Sequence, residues 1–228
     1  YFYEVGYRLA TNNYSTAYND SLGIEKLQKY ASLFGLNERT GIEIEEAAPQ
    51  IANEFPVMAA IGQSNNNYTT VQLARYVTAV ANEGTVYQYT LLNRLEDSDG
   101  NVLQTFEPQV RNQIDVLDTE EWNAIHSGMR MVVENTKEFD GFPIEAAGKT
   151  GTAQQNLKRP NHALFVGYAP YDDPEISIAT RIAYGYTSHN AAKLARNVFA
   201  YYFNVENEDE LLNGQAANGN SSSNEISD

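Results

Sequence analysis

Residues Ala146 to Gln155 read AAGKTGTAQQ, with three alanines, two glycines, two threonines, one lysine and no bulky side chain. Each of these types has a use beside an extended ligand. Glycine and alanine let a second backbone come close. The Thr150 and Thr152 hydroxyls can bind a carboxylate, and Lys149 places a positive charge beside them. Carried at a sheet edge, such a strand leaves N–H and C=O groups open to an added peptide strand. The segment also contains Gly-Lys-Thr, the end of a phosphate-binding loop, but G-x-x-x-x-G-K-[ST] requires glycine where Pro143 stands, and Gly141 is out of register. That chemistry is excluded. Strand alternation sends Lys149 and Thr150 to opposite faces, so both serve one ligand only if it lies along the strand edge. An ordinary strand with an exposed lysine reads the same way, so the segment needs support from its surroundings.

The elements around it divide by period. IEKLQKYASLFGL carries Ile24, Leu27, Tyr30, Ala31 and Phe34 at helical spacing, and Gly35 is placed to end that helix. NERTGIEIEEAAP reads as a turn and then a short alternating strand. TTVQLARYVTAVANEG predicts a helix capped by Thr69 or Thr70, with Leu73, Ala74, Val77, Val80 and Ala81 inward and Gly84 at its end. Residues 85–106 alternate around EDSDGN, whose Asp99-Gly100 signals a hairpin. TEEWNAIHSGMRMVVE predicts a helix capped by Thr119, with Glu120 and Glu121 at its positive end. From residue 142 the period becomes two. FPIEAAGKTGTAQQ, HALFVGYAP and EISIATRIAYG read as strands, and the YAPYDDPE connection is too short for a crossover, so its strands pair antiparallel. SHNAAKLARNVFAYYF predicts a final helix capped by Ser188, burying Ala191, Ala195, Val198, Phe199 and Tyr202 on that sheet. The class is α+β, an antiparallel sheet flanked by helices.

Composition narrows the partners. Thirty acidic against 15 basic residues give a net charge of −15, which opposes nucleic-acid binding and adhesion to an anionic membrane surface. With no cysteine, disulfides and thiol catalysis are excluded. His126, His162 and His189 stand far apart without metal-ligand spacing. There is neither a run of about 18 apolar residues nor a signal-peptide pattern. YFYEVGYRLA has Phe2, Val5 and Leu9 at helical spacing but no capping residue before it. It reads as the middle of a longer protein. Residues 205–228 are rich in Asn, Ser, Gly and Glu and read as an acidic disordered tail.

Lys-Thr-Gly is one of three elements, with S-x-x-K and S-x-N, that mark penicillin-binding proteins and serine β-lactamases. The surroundings of this one resemble the penicillin-binding transpeptidases, the class B, monofunctional kind most of all. AAGKTGTAQ is similar to that family's third motif with its extension, and HALFVGYAP to the strand after it. MAAIGQSNNNYTTVQLARYVTAVANEGTV resembles the family's Ile-Gly-Gln turn and Thr-x-Gln-Leu-Ala helix, ERTGIEI its Thr-Gly-Ile segment, and SGMRMVVE its Gly-Met-x-x-Val-Val helix. The likeness runs from residue 1 to about 204 in the family's order, with Ser64 a departure where a smaller residue is usual. It implies a serine β-lactamase/D,D-peptidase-like fold, incomplete at the N-terminus, with residues 1–204 as the C-terminal part of the transpeptidase domain.

No serine here has lysine three residues later; Ser127, with Arg130, comes closest. Three loose S-x-N matches begin at Ser64, Ser188 and Ser222. In the family S-x-N precedes a helix resembling YFYEVGYRL, so the expected nucleophile lies upstream of Tyr1 and this chain alone is expected to be inactive. The resemblance implies a peptidoglycan D,D-transpeptidase acting by serine acyl transfer on stem peptides ending in D-Ala-D-Ala, blocked by β-lactams and using no cofactor or metal. It places the protein on the extracytoplasmic face of the bacterial cell membrane, anchored by a helix outside this chain and completed by the protein's own N-terminal part. Lys149 would give electrostatic and proton-relay support, the Thr152 backbone N–H one oxyanion donor, and Thr150, Gly151, Thr152 and Gln154 would bind substrate. His162 is not a residue on which the family relies. A serine β-lactamase of the same fold, and a non-catalytic scaffold or β-lactam sensor, remain alternatives.

Overall fold

The computed structural model describes residues 1–207 and 211, and the chain divides into two compact units, Tyr1–Asp118 and Thr119–Asp228. In the first unit α1 (Phe2–Ala10), α2 (Asp20–Leu33) and α3 (Pro56–Ala59) pack together through small residues. A Cβ on Gly6 would stand 2.7 Å from Val57 Cα, so only glycine lets α1 lie this close to α3. The buried stripe of α1 is centred on Gly6 and Ala10, and Phe2 is 54% exposed.

α4 (Thr70–Ala81) starts at Thr69 in a capping box: Gln72 N–H donates to Thr69 Oγ1 at 3.2 Å, and Thr69 N–H donates to Gln72 Oε1 at 2.8 Å. Val77, Val80 and Ala81 are buried as the periodicity predicts, but so are Gln72 and Arg75. Arg75 is 1% exposed and serves the chain leaving α2. Its Nη2 donates to Gly35 O and, at 3.2 Å, to Glu38 O, while Nη1 donates to Arg39 O at 3.2 Å. Gly35 has φ +72°, and a Cβ there would stand 2.6 Å from Arg75 Nη2. Helix termination and the arginine therefore both demand glycine.

The short strand expected within residues 41–46 does not form. Its ladder is replaced by side chains. Glu46 Oε2 accepts from Thr40 N at 2.7 Å and Thr40 Oγ1 at 2.9 Å, and Oε1 accepts from Thr69 Oγ1 at 3.0 Å. A buried carboxylate satisfying backbone donors competes directly with sheet pairing. β1 (Thr85–Gln88) pairs antiparallel with β4 (Gln109–Gln113), and β2 (Arg94–Glu96) with β3 (Val102–Thr105), closing the hairpin signalled by Asp99-Gly100, with Gly100 at φ +83°.

The second unit opens with α5 (Thr119–Glu134), which begins at Thr119 itself rather than after it. A 3-10 turn at Lys137–Phe139 leads to the antiparallel sheet β5 (Ala147–Ala153), β6 (His162–Ala169) and β7 (Ile176–Ile182), in the order β5-β6-β7. α6 (Ser188–Tyr202) is capped by Thr187, not Ser188: Thr187 Oγ1 accepts from His189 N at 3.1 Å. Ala191, Ala192, Ala195 and Phe199 of α6 join Ala163, Phe165 and Ala169 of β6 in the core. Val198 and Tyr202, expected inward, are 37% and 49% exposed; the alanine row brings the helix close, and the contact turns onto Ala192 and Ala200 instead. Thr180 Oγ1, buried on β7, donates to Ala191 O at 3.0 Å.

Of the expected tail, 205–228, residues 205–207 and 211 are described. Glu206 takes two bonds from the Arg196 guanidinium, which holds its carboxyl below the usual carboxylate range. Nearly all the rest of the expected tail lies outside the described residues.

Candidate active site

Among the described residues β5 pairs with β6 on one side and with no strand on the other, so it is an edge strand. Lys149 lies opposite Val166, Thr150 opposite Phe165 and Thr152 opposite Ala163. Alternation sends Lys149 and Thr150 to opposite faces, but the lysine stem bends around the edge. Its Nζ donates to Thr150 O at 2.7 Å and stands 3.4 Å from Thr150 Oγ1. A cation, a hydroxyl and a backbone carbonyl thus gather at one point. Gly151, Thr152 and Ala153 continue the strand half-buried, and Gln154 is exposed just past its end.

The small residues have two different reasons. Ala147 and Gly148, expected from the sequence to let a peptide come close, are instead buried together with Ala146. Gly148 lies opposite Gly167, and the Phe165 ring covers the space these two glycines leave. A Cβ on Gly148 would overlap Phe165 Cζ and stand 2.8 Å from Val166 O. At Gly151 the nearest atom, Leu164 Cβ, is 3.5 Å away, so packing there tolerates a side chain. Packing against β6 therefore gives no reason for Gly151 to be small. Gly148→Ala is expected to lower the stability of the full-length protein by about 1–3 kcal/mol through overpacking, whereas Gly151→Ala leaves melting nearly unchanged. Thermal unfolding of the two variants separates these roles.

Both ends of β5 are pinned. At the start, Arg130 of α5 donates from Nη1 to Ala146 O at 3.1 Å and pairs with Glu145 at 3.2 Å and Glu134 at 3.4 Å. The guanidinium in the nearest S-x-x-K look-alike is thus a brace for β5, and Ser127 is exposed. At the far end His162, opposite Ala153, is 7% exposed and holds the following loop by its Nε2, 2.9 Å from Gln155 Oε1. The other histidines lie elsewhere: His126 faces the Tyr168 ring at 5.6 Å and His189 meets Glu138 at 2.9 Å.

The S-x-N look-alikes are structural where they are described. Ser64, at φ +67°, donates to Glu54 O at 2.8 Å, while Asn65 and Asn66 accept from the Asn53 and Ala52 N–H groups at 3.1 and 2.8 Å. That turn braces a loop, and the serine spends its hydroxyl where a smaller residue is usual. Ser188 is fully buried at the start of α6. The match at Ser222 lies outside the described residues. Sequence reasoning missed Arg130, Gln155, Phe165 and Arg181. Phe165 and Arg181 stand in runs that read as strands, but the partner of each lies on another segment.

Residues 8–200 match the penicillin binding protein transpeptidase domain. The chain belongs to that family. Among curated relatives, peptidoglycan D,D-transpeptidase MrdA of Haemophilus influenzae is 33% identical over 227 residues, covering 84% of this chain and 34% of that protein. Penicillin-binding protein 2A of Bacillus subtilis is 26% identical over 226 residues, covering 87% of this chain and 31% of its own length. The chain therefore spans about a third of the curated relatives it matches. Penicillin-binding protein 2B of Streptococcus pneumoniae superposes with a TM-score of 0.75 at 23% identity, over 90% of this chain and 38% of that one. An imipenem acyl-enzyme complex of penicillin-binding protein A from M. tuberculosis superposes with a TM-score of 0.73 at 21% identity, over 89% of this chain and 44% of that one. These likenesses show the fold of a penicillin-binding protein transpeptidase domain. The α+β class and the family resemblance read from AAGKTGTAQ and its neighbours agree with it.

Proposed function

We propose that these 228 residues form one wall of the acyl-transfer site of a peptidoglycan D,D-transpeptidase, with the nucleophilic serine in a part of the protein outside them. The observation that carries the reading is the gathering of Lys149 Nζ with the Thr150 carbonyl and hydroxyl on the open edge of β5. A stem peptide ending in D-Ala-D-Ala would lie along this edge as an added strand. Thr150 and Thr152 would receive its terminal carboxylate, Gly151 would let its backbone approach, and Gln154 would border the groove. In an antiparallel strand the N–H and C=O of one residue share a side, and the side alternates. Thr152 therefore shares the edge-facing side of Thr150 O, the orientation its backbone N–H needs to serve as an oxyanion donor.

The chemistry is covalent catalysis in two transfers. The serine Oγ loses its proton to a base and attacks the carbonyl between the D-alanines. The C–N bond breaks and D-alanine leaves with a proton on its amine. An amine of a neighbouring stem then attacks the ester, the cross-link forms and the serine hydroxyl is restored. Lys149 would stabilise the negative charge that develops and support the proton transfers. A β-lactam entering the same groove would leave the serine acylated, as the relative's imipenem acyl-enzyme complex illustrates. The protein would work on the outer face of the cytoplasmic membrane, held by a helix outside these residues.

The test is incubation of the full-length protein with a peptide ending in D-Ala-D-Ala. D-Alanine release, abolished by prior penicillin, is the expected result. Rapid hydrolysis of the penicillin itself would favour a β-lactamase, and no reaction with either compound would overturn the reading.

A further inference from the structure

His162 lies at the junction of three segments of the second unit. Its Nδ1 is 3.1 Å from the Tyr184 backbone N, in the turn after β7. That backbone nitrogen carries a proton, so Nδ1 is the acceptor, and the single proton of the neutral ring sits on Nε2. From there it is donated to Gln155 Oε1 at 2.9 Å, two residues beyond the end of β5. The loop is tied to the same turn twice more. Arg159 Nη1 donates to the Tyr184 hydroxyl at 2.6 Å, and Tyr186 N–H donates to Asn161 O at 3.1 Å. The ring itself lies 5.0 Å from the Tyr184 ring.

We propose that neutral His162 is a positioning residue for acyl transfer: it straps Gln155, and with it the Thr152–Gln154 end of β5, to the turn after β7, and a second ring proton releases the strap. This rests on the function proposed above. The second proton would have to sit on Nδ1, facing the Tyr184 N–H, and would break that bond. The charged and titratable groups around the ring oppose it too. Arg181 of β7 brings Nη2 to 3.3 Å from Nε2, Arg159 covers the Tyr184 ring at 5.3 Å, Lys158 stands in the strapped loop, and Tyr184 presents only its ring and N–H. Shielding from water, then the Arg181 charge, hold the imidazole pKa below its ordinary 6.5. The sign follows from that direction. The folded ring stays neutral where an unfolded one begins to charge, so the strap is intact above the ordinary value and is lost as pH falls through the lower folded one.

The test compares full-length wild type, Gln155→Ala and His162→Asn from about pH 8 down to about pH 5, the range in which imidazoles titrate. One readout is hydrogen exchange over residues 152–161, corrected for intrinsic rates. The other is the second-order rate of acylation by fluorescent penicillin. In wild type, protection of 154–157 and acylation should fall together in a single-proton step. The expected loss is about tenfold, less than the roughly hundredfold that a 1 Å displacement costs. Gln155→Ala, which leaves the ring in place, should sit on the low plateau at every pH. Asn at 162 offers Tyr184 N–H an acceptor but cannot reach Gln155, so His162→Asn should also be low and flat. An unchanged rate and profile in Gln155→Ala, or an acid step surviving in His162→Asn, would overturn the proposal. If wild type is not acylated at any pH, the proposed function fails. The exchange profile still decides the strap, a step supporting it and a flat profile overturning it.

Discussion

Replacing Lys149 with alanine should slow β-lactam acylation of the full-length protein by roughly 10²–10³-fold, the usual consequence of removing one preorganised electrostatic contact to developing charge. The side chain is exposed and bonds to the neighbouring Thr150, so folding has little stake in it. Melting should shift by no more than a typical surface substitution, within about 0.5 kcal/mol. That pairing of a large rate effect with intact stability distinguishes a site residue from a structural one. Lys149→Arg should not rescue activity, because a planar guanidinium cannot bend around the edge to Thr150 O as a point charge does. Acylation rates and thermal unfolding on the same preparations check all three statements. Near wild-type acylation in the alanine variant would remove Lys149 from the mechanism.

The second large effect concerns stability. Arg75→Leu should destabilise the first unit by about 3–5 kcal/mol, because it strands buried partners that the guanidinium satisfied. The carbonyls of Gly35, Glu38 and Arg39 would lose their donor, although Gln72 Nε2 would still reach Glu38 O at 3.0 Å. Arg75→Lys should recover only part of the loss, since one ammonium cannot span three carbonyls arranged for a fork. Denaturant unfolding gives the magnitude, and hydrogen exchange over residues 35–46 should show the loss of protection centred there. A loss below about 1 kcal/mol, the worth of one ordinary hydrogen bond, would show that the loop does not depend on this arginine.

These two residues mark what the sequence could reveal. Lys149 was legible because its neighbours are small and its motif has company along the chain. Helices with a regular apolar period and the β2–β3 hairpin were legible for the same local reason, since their signals repeat or occupy one turn. Arg75 was not, because a charged residue on a helix reads as solvent-facing until the loop that buries it is in place. Residues 41–46 read as a strand because Ile42 and Ile44 alternate with glutamates. What cancels that strand is Glu46 turning its carboxylate onto Thr40 and Thr69, a long-range arrangement that no window of alternation contains. Gly148 was legible as small but for the wrong reason, since the ring that needs the space arrives from β6. The cap of α6 falls at Thr187, where the competing hydroxyl of Ser188 stands beside it, and α5 begins at Thr119 itself, each a single residue from expectation.

The central claim is that this chain supplies the carboxylate-binding edge of a transpeptidase site and that another part of the protein supplies the nucleophile. The most direct measurement is the position of the acyl group. The full-length protein would be labelled with penicillin and digested, and the modified peptide identified by mass spectrometry, with residues 1–228 alone treated in parallel. One adduct is expected, on a serine that has lysine three residues later and lies outside these 228 residues, and none on the isolated chain. An adduct on any serine within residues 1–228 would contradict it.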